Sequence, residues 1–370
     1  MMIAKKKILV AVSGGIDSTM AMKLLLDAGH DVAAAHMKLW DYSEVGADRH
    51  RDGRCCSLED INDLHQVCNS LGVPFYVLNF AEQFKKTVIE NFVSEYKKGR
   101  TPNPCVLCNT HLKWSNFLKK AREIGCDYIA TGHYARAEYD NKIKRFLIKK
   151  GVDDTRDQSY ALWGLSQEAL AHTLFPLGEY TKSEIRELAV RHGLKNARKA
   201  ESREICFIAD DDYHRFLKEW EAARGRSFIN GNIIDSNGNI LNTHDGIVFY
   251  TIGQRKGLGI SNPKPLYVTR LDPQTNDVIV GDGADLLRRE FFVTDINWVA
   301  RENPTIPFEA DIKIRYLHTP APARVEPLDD TTARIIFHHP ARAITPGQSA
   351  VFYDSDIVIG GGFISLEKIS

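Results

Sequence analysis

No stretch of the chain approaches the ~18 consecutive apolar residues that a membrane-spanning helix needs. The basic triplet Lys5 to Lys7 is followed by an apolar run of only Ile8 to Val12 before a glycine turn, too short for the core of a signal peptide. No usable glycosylation sequon exists, because Asn303-Pro304-Thr305 is blocked by its proline. An excess of either charge is also missing. Lys plus Arg is 48 and Asp plus Glu is 48, which argues against a surface that coats nucleic acid everywhere but leaves room for a local basic face. The seven cysteines are odd in number and lie in a long chain without a leader, so a disulfide framework is not expected. There is no Walker loop and no dinucleotide G-x-G-x-x-G. These absences leave a cytoplasmic protein with no membrane partner. At 43% hydrophobic and 26% charged, its composition excludes disorder as the main character.

A length of 370 residues predicts two or three domains at ~150 residues each. The first third alternates strand and helix. Lys7 to Val12, Asp31 to Met37, Phe75 to Asn79 and Tyr128 to Thr131 read as strands. Ser18 to Ala28, Leu58 to Leu71, Glu82 to Lys97, His111 to Ile124 and later Lys182 to His192 read as helices, two of them stopped by Gly29 and Gly72. Such alternation predicts an α/β fold, a doubly wound parallel sheet with its ligand site at the carboxyl ends of the strands. Beyond about Asp210 the pattern changes. Asn230-Gly231, Asn237-Gly238 and Asp245-Gly246 are hairpin signals. From Glu290 onward come short alternating runs: Phe291 to Ile296, Phe308 to Tyr316, Ala333 to His338, Ser349 to Tyr353 and Ile357 to Ile364. The expected organisation is an α/β domain over 1–210, a small central domain over 211–288 and a C-terminal β-barrel-like domain over 289–370.

Ser13-Gly14-Gly15-Ile16-Asp17-Ser18 lies between the first strand and a helix N-terminus. Glycines there let the backbone curl close to an anion, and free amides and serine hydroxyls can donate to phosphate oxygens. The full string S-G-G-x-D-S resembles the signature of the N-type ATP pyrophosphatase (PP-loop) superfamily, whose members split ATP between the α and β phosphates and adenylate a carbonyl oxygen. The resemblance implies that Ala11, Val12, Ser13, Gly14, Gly15, Ile16, Asp17 and Ser18 bind ATP, with Mg²⁺ as a charge partner. It also implies that Met37 reads adenine through its backbone and that Gly132 touches the nucleotide.

The segment Gly99-Arg100-Thr101-Pro102-Asn103-Pro104-Cys105-Val106-Leu107-Cys108-Asn109 holds two prolines and two cysteines. The prolines predict an extended loop, followed by a helix from about Thr110 or His111. That helix start, with Lys113, Arg100 and Lys98 nearby, would lower the Cys108 thiol pKa. C-x-x-C alone could be half a zinc site, a redox pair, or part of a site completed elsewhere. No second C-x-x-C or histidine pair follows to complete a zinc site. From Lys85 to Arg122 nine basic residues face two acidic ones, a net +7. That window reads either as solvated helix faces or as a patch for phosphates. Cys206, in Ile205-Cys206-Phe207-Ile208, reads in isolation as a buried residue of a short apolar strand.

Taken together in order, S-G-G-I-D-S, G-R-T-P-N-P-x-x-x-C-N, T-G-H-Y-A-R, R-D-Q-S-Y, I-C-F-I, D-G-I-V-F-Y-T-I-G-Q-R-K-G-L-G-I and P-G-Q-S-A-V-F-Y resemble the tRNA-specific 2-thiouridylase family over essentially the whole chain. The resemblance implies Cys108 as catalytic nucleophile and Cys206 as the persulfide-bearing cysteine, the two ending in a disulfide. Asn103, Pro104 and Cys105 would touch the target uridine. His133, Asp157, Gln158, Ser159, Arg315, Tyr316 and Gln348 would contact tRNA. The substrate would be the wobble uridine of tRNAs for Lys, Glu and Gln, and the partner a persulfide donor or relay protein linked to a cysteine desulfurase.

This chain leaves the family pattern at two places. The family commonly has aspartate where Cys105 stands, and a glycine in the stretch before the persulfide cysteine where this chain has Ser202-Arg203-Glu204. Convergence of Cys105, Cys108 and Cys206 would supply the three ligands of a [4Fe-4S] cluster with an open fourth position. Two other classes use some of the same features: a small-molecule ATP pyrophosphatase, which needs no cysteine pair, and a tRNA-binding protein without catalysis.

Overall fold

The computed structural model describes residues 5–40, 58–194, 205–208 and 210–367. Cys55, Cys56, Ser202, Arg203 and Glu204 lie outside the described residues. Two contact-defined units divide the chain. The first comprises 1–88, 105–211 and 356–358, and the second 89–104, 212–355 and 359–370.

The first unit is built on a parallel sheet of β1 (Lys7–Ala11), β2 (Asp31–Lys38), β3 (Phe75–Asn79), β4 (Tyr128–Ala130) and β7 (Thr173–Leu174) in the order β3-β2-β1-β4-β7. A hairpin of β5 (Ala135–Asp140) and β6 (Arg145–Lys150) follows β4. β1 is central because every inward position is aliphatic. Ile8, Leu9 and Val10 are fully buried. Two helices follow β1 and β2, α1 (Ile16–Asp27) and α2 (Leu58–Ser70). Met22 and Leu25 of α1 pack with Leu64 and Cys68 of α2 over Ile8, Val10, Val32 and Ala34. Another stripe of α1, Ile16, Met20 and Ala21, packs on Tyr134 and on Ile185 and Ala189 of the helix Lys182–Arg191. The strand order reverses direction between β1 and β4. Open α/β sheets bind ligands at such a switch point.

The second unit holds a four-stranded sheet and a barrel. β8 (Gly231–Ile234), β9 (Ile240–His244), β10 (Tyr267–Asp272) and β11 (Asp277–Gly281) run in the order β10-β11-β8-β9. Only Asn237-Gly238 sits at a hairpin tip. Asn230-Gly231 opens β8, and Asp245-Gly246 leads into a 3₁₀ turn at Ile247–Phe249. The barrel strands are β12 (Leu287–Trp298), β13 (Phe308–Lys313), β14 (Ala321–Pro327), β15 (Ala333–Arg342), β16 (Ser349–Asp354) and β17 (Ile357–Ser365). They run β12-β15-β14-β13-β16-β17 and close through β12 against β17. Phe291, Ile312, Ile335, Phe337 and Phe352 fill the interior. No helix among the described residues is long and apolar enough to cross a membrane.

The largest local departure from the sequence reading is at the cysteines. The helix begins at Pro104 instead of Thr110. It runs Pro104–Leu107 as α-helix, Cys108–Asn116 as π-helix and Phe117–Glu123 as α-helix. Proline suits a first helical position because its φ is preset and its missing N–H would have no partner there. The Ile205 to Ile208 stretch is likewise a turn, closed by Ile208 N donating to Ile205 O at 2.9 Å, where a strand was expected.

Six histidines, His30, His36, His133, His214, His244 and His318, are held below the ordinary imidazole value, with burial the largest cause in each. The unfolded chain takes up protons at these sites as pH falls through about 6.5, while the folded chain resists. Their stabilising contribution is therefore complete above that pH and lost below it. The urea midpoint is expected to fall between pH 7.5 and pH 5.5, and His133→Gln should flatten the fall. Equal midpoints at the two pH values would contradict this.

Candidate active site

The phosphate loop is held by its own side chains. Ser18 Oγ accepts from Ser13 N at 3.1 Å and donates to Gly15 O at 3.1 Å, while Thr19 Oγ1 donates to the same carbonyl. Gly14 stands at φ +81°, a left-handed conformation that favours glycine. Gly15 caps α1 with backbone alone, so no side chain occupies the helix's first amides. Ala11 and Val12 are buried at the strand end, with Val12 N donating to Ala35 O at 2.9 Å. Met37 lies half-buried near the carboxyl end of β2, paired in register with Leu78.

Asp17 does not stand free. Lys182 Nζ donates to both its carboxylate oxygens at 2.7 and 2.8 Å, and Tyr134 Oη donates to Oδ1 at 2.8 Å. The Lys182 side chain keeps 7% of its surface and that of Asp17 29%. Neither Lys182 nor Tyr134 was singled out from sequence. One signal was available: Lys182 is the first residue of a helix, directly after the Thr181 cap, where a cation opposes the helix dipole. Gly132 follows β4, and a Cβ there would lie 2.8 Å from Asp17 C and Ser18 N. Its lack of a side chain is what lets β4 approach the loop.

Cys108 is buried and Cys105, one turn earlier, is exposed. Burial pushes the Cys108 thiol up. The Lys113 ammonium opposes that, and neighbouring Cys105 adds to it. The Cys105 thiol is also pushed up by the protein packed around it, though the side chain reaches solvent, and Lys113 again opposes. The helix-start effect expected for Cys108 is absent, since Cys108 is in the second turn. Lys98 and Arg100 both pair with Glu95. Lys113 and Cys108 share the π-helix Cys108–Asn116, and the Lys113 charge acts on the thiol. Lys113 Nζ is held by Asn109 Oδ1 at 2.8 Å, and Asn109 Nδ2 donates to Ala161 O at 2.9 Å.

His133 faces the same group. Burial, then the Lys113 charge, keeps its pKa well below the usual value, so the ring is neutral near pH 7. Its Nδ1 lies 2.7 Å from Thr131 Oγ1, and its ring is 5.5 Å from that of Trp114, which donates to Thr173 Oγ1. Cys206 is exposed, carried outward by the turn whose next residue, Phe207, is buried edge-on against Phe84 at 5.7 Å. Cys68 and Cys126 are buried. Burial lifts the Cys68 thiol to about 11 and also raises that of Cys126.

The remaining expected residues sit as follows. Asp157 and Ser159 are buried and bonded to each other, Ser159 Oγ to Asp157 Oδ2 at 2.8 Å, and Gln158 Oε1 accepts from Tyr134 N. In the second unit Asn103 is half-buried and Pro104 buried. Gln348 Nε2 donates to Thr101 O at 3.2 Å and Pro102 O at 3.1 Å, and Thr101 N donates to Pro346 O. Tyr316 is exposed, with Lys313 Nζ 5.5 Å from its ring centre, and Arg315 reaches Arg342 O at 3.4 Å. Of the basic window, Lys97, Lys98, Arg100, Lys120 and Arg122 each have an acidic partner. The Lys120–Glu123 and Arg122–Glu168 pairs are exposed and therefore weak, whereas Lys97 meets a buried Glu221.

Among the described residues no group of three or more His, Cys, Asp or Glu side chains is gathered so as to hold a metal ion. Cys105, Cys108 and Cys206 are not gathered into such a group among the described residues.

A helix without a side-chain cap thus follows a glycine turn at the switch point of an α/β sheet, with its aspartate paired to a lysine, the arrangement of an α/β protein whose loop string resembles the PP-loop signature. Residues 6–210 match a family described as the tRNA methyl transferase HUP domain. Residues 216–282 match its PRC-barrel domain and 288–364 an aminomethyltransferase β-barrel domain. The chain is 46% identical to the tRNA-specific 2-thiouridylase MnmA of Clostridioides difficile (strain 630), over 98% of this chain and 99% of that one. It is 49% identical to the protein of that name from Geotalea uraniireducens (strain Rf4), over 97% and 95%. The chain belongs to the tRNA-specific 2-thiouridylase (MnmA) family.

Two outcomes follow for the loop. Gly132→Ala should weaken ATP binding about tenfold or more, since relieving a backbone clash costs about 1–3 kcal/mol. Unchanged affinity by calorimetry would contradict the close approach. Lys182→Met should lower stability by about 2 kcal/mol, the range for a hydrogen bond to a charged group. Adding Asp17→Asn should restore part of that loss, and a denaturation midpoint that does not recover would count against the pairing.

Proposed function

We propose that this protein is a cytoplasmic tRNA-uridine 2-sulfurtransferase that converts the wobble uridine, position 34, of tRNAs for Lys, Glu and Gln to 2-thiouridine. The observation that carries the reading is the presence in one unit of an ATP-type phosphate loop and a buried cysteine under a lysine. Neither an amide-forming ligase nor a passive tRNA binder needs both. Uracil C2 is a poor electrophile because its oxygen leaves badly. ATP adenylates that oxygen, pyrophosphate departs, and AMP becomes the leaving group. The loop residues 11–18, Gly132 and the Met37 backbone hold the nucleotide, with Lys182 moving between Asp17 and phosphate. Mg²⁺ rides on the ATP phosphates.

Sulfur arrives as a persulfide on exposed Cys206, loaded by a donor or relay protein linked to a cysteine desulfurase. The Cys108 thiolate attacks the inner sulfur of that persulfide. The S–S bond to the outer sulfur breaks, a Cys108–Cys206 disulfide forms, and hydrosulfide leaves to attack C2 and displace AMP. Lys113 favours the thiolate against burial. Asn103, Pro104, Cys105 and His133 meet the splayed uridine. Asp157, Gln158 and Ser159 line the tRNA, with Gln158 fixing Tyr134, and Arg315, Tyr316 and Gln348 contact tRNA as well. Domains at 1–210, 211–288 and 289–370 divide these tasks. No step needs iron.

The test is mass analysis of tRNA nucleosides after incubation with ATP and a persulfide donor. Cys108→Ser and Cys206→Ser should each abolish 2-thiouridine, whereas Cys68→Ser and Cys126→Ser should retain it. Thiolation by folded Cys108→Ser, or its loss in folded Cys126→Ser, would overturn the assignment. ATP–pyrophosphate exchange at full rate without tRNA would favour a small-molecule substrate. Thiolation that tracks bound iron in anaerobically purified protein would replace the persulfide route with a cluster.

A further inference from the structure

The thiolation reading leaves a Cys108–Cys206 disulfide after each turnover and gives Cys105 no part in the sulfur chemistry. Cys105 is exposed, Cys108 is buried one turn on, and both are free thiols. They occupy positions i and i+3 of one helix, and such residues hold their Cβ atoms about 5–6 Å apart. A disulfide needs about 3.5–4.5 Å. The approach required is small, and the helix is least regular just there, changing from α at Pro104–Leu107 to π at Cys108. The same cation, Lys113, faces both sulfurs and is braced by Asn109.

We propose that Cys105 is a resolving cysteine. It attacks Cys108 in the Cys108–Cys206 disulfide, transfers the disulfide to the Cys105–Cys108 pair and frees Cys206 for the next persulfide. This rests on the thiolation reading above.

The exchange is balanced without an external oxidant. Cys105 Sγ gives its proton to solvent and forms a bond to Cys108 Sγ. The Cys108–Cys206 bond breaks, its electron pair leaves on Cys206 Sγ, and that thiolate takes a proton back. The oxidation level moves from one pair to the other and none is created. A dithiol reductant then attacks the exposed Cys105 sulfur, expels the Cys108 thiolate beneath Lys113, and closes on itself to release Cys105. Exposure suits each role: the sulfur met by the reductant is at the surface, and the sulfur handed from partner to partner is shielded.

The experiment has two arms, both read by alkylation and peptide mass mapping of the full chain. In the first, reduced protein is equilibrated with oxidised and reduced glutathione, without tRNA. Cys105–Cys108 linkage should exceed Cys108–Cys206 linkage by about tenfold, ~30 mV of preference. Predominant Cys108–Cys206 linkage would overturn the proposal whether or not the protein thiolates tRNA. In the second arm, protein loaded with persulfide makes one turnover with ATP and tRNA without reductant. The 2-thiouridine yield scores the thiolation reading. The peptide map scores the inference, which expects Cys105–Cys108 linked and Cys206 open to alkylation. Cys105→Ser should instead stop at Cys108–Cys206, and Cys206→Ser should still close Cys105–Cys108 in glutathione. Turnover that leaves wild-type Cys105 alkylated and Cys108 bonded to Cys206 would refute the resolving role.

Discussion

A carboxylate inside a loop shaped to receive phosphate repels the ligand the loop is built for, and the ammonium of Lys182 removes that conflict. The pair carries no net charge beside the start of α1, whose first amides no side chain caps. Tyr134 adds the third point of the fixture and ties the loop to the segment after β4. The serines then need only shape the backbone, which they do as Ser13 bonds to Ser18 and Ser18 donates to Gly15 O.

The cysteine helix applies a related logic to sulfur. Burial alone would keep Cys108 protonated and inert. The charge of Lys113, held in direction by Asn109, opposes that burial, and the same lysine helps keep His133 neutral. A neutral imidazole beside a cation can accept a hydrogen bond without adding positive charge.

Much of this was legible in the sequence because strands with aliphatic periodicity and glycine turns depend on local chemistry. β1, β2 and β3 lie within a residue of where periodicity put them, and S-G-G-I-D-S falls between strand and helix as its glycines require. The barrel was legible in outline, though Ala321–Pro327 was missed. Its prolines and short apolar residues carry little strand signal, and pairing with β13 and β15 decides its conformation. The cysteine segment was misread because Pro102 and Pro104 look alike in sequence, while only the second opens a helix. Lys182 escaped notice because its partner lies 165 positions away. Cys206 reads as an apolar strand residue, but a turn buries Phe207 and Ile208 and leaves the thiol outside.

The strand order also sets a timetable for synthesis. β1 can pair with β2 as soon as Asp31 to Lys38 has emerged, but its other neighbour is β4, where Ile8 meets Tyr128. Half of the central strand's ladder therefore waits until the chain has reached Tyr128 to Ala130, a distant closure of the kind that slows folding. Lys182 emerges later still. A nascent chain leaving the ribosome has its glycine loop early and the counter-charge for Asp17 much later, so that loop gains its fixture only after Lys182 has been made.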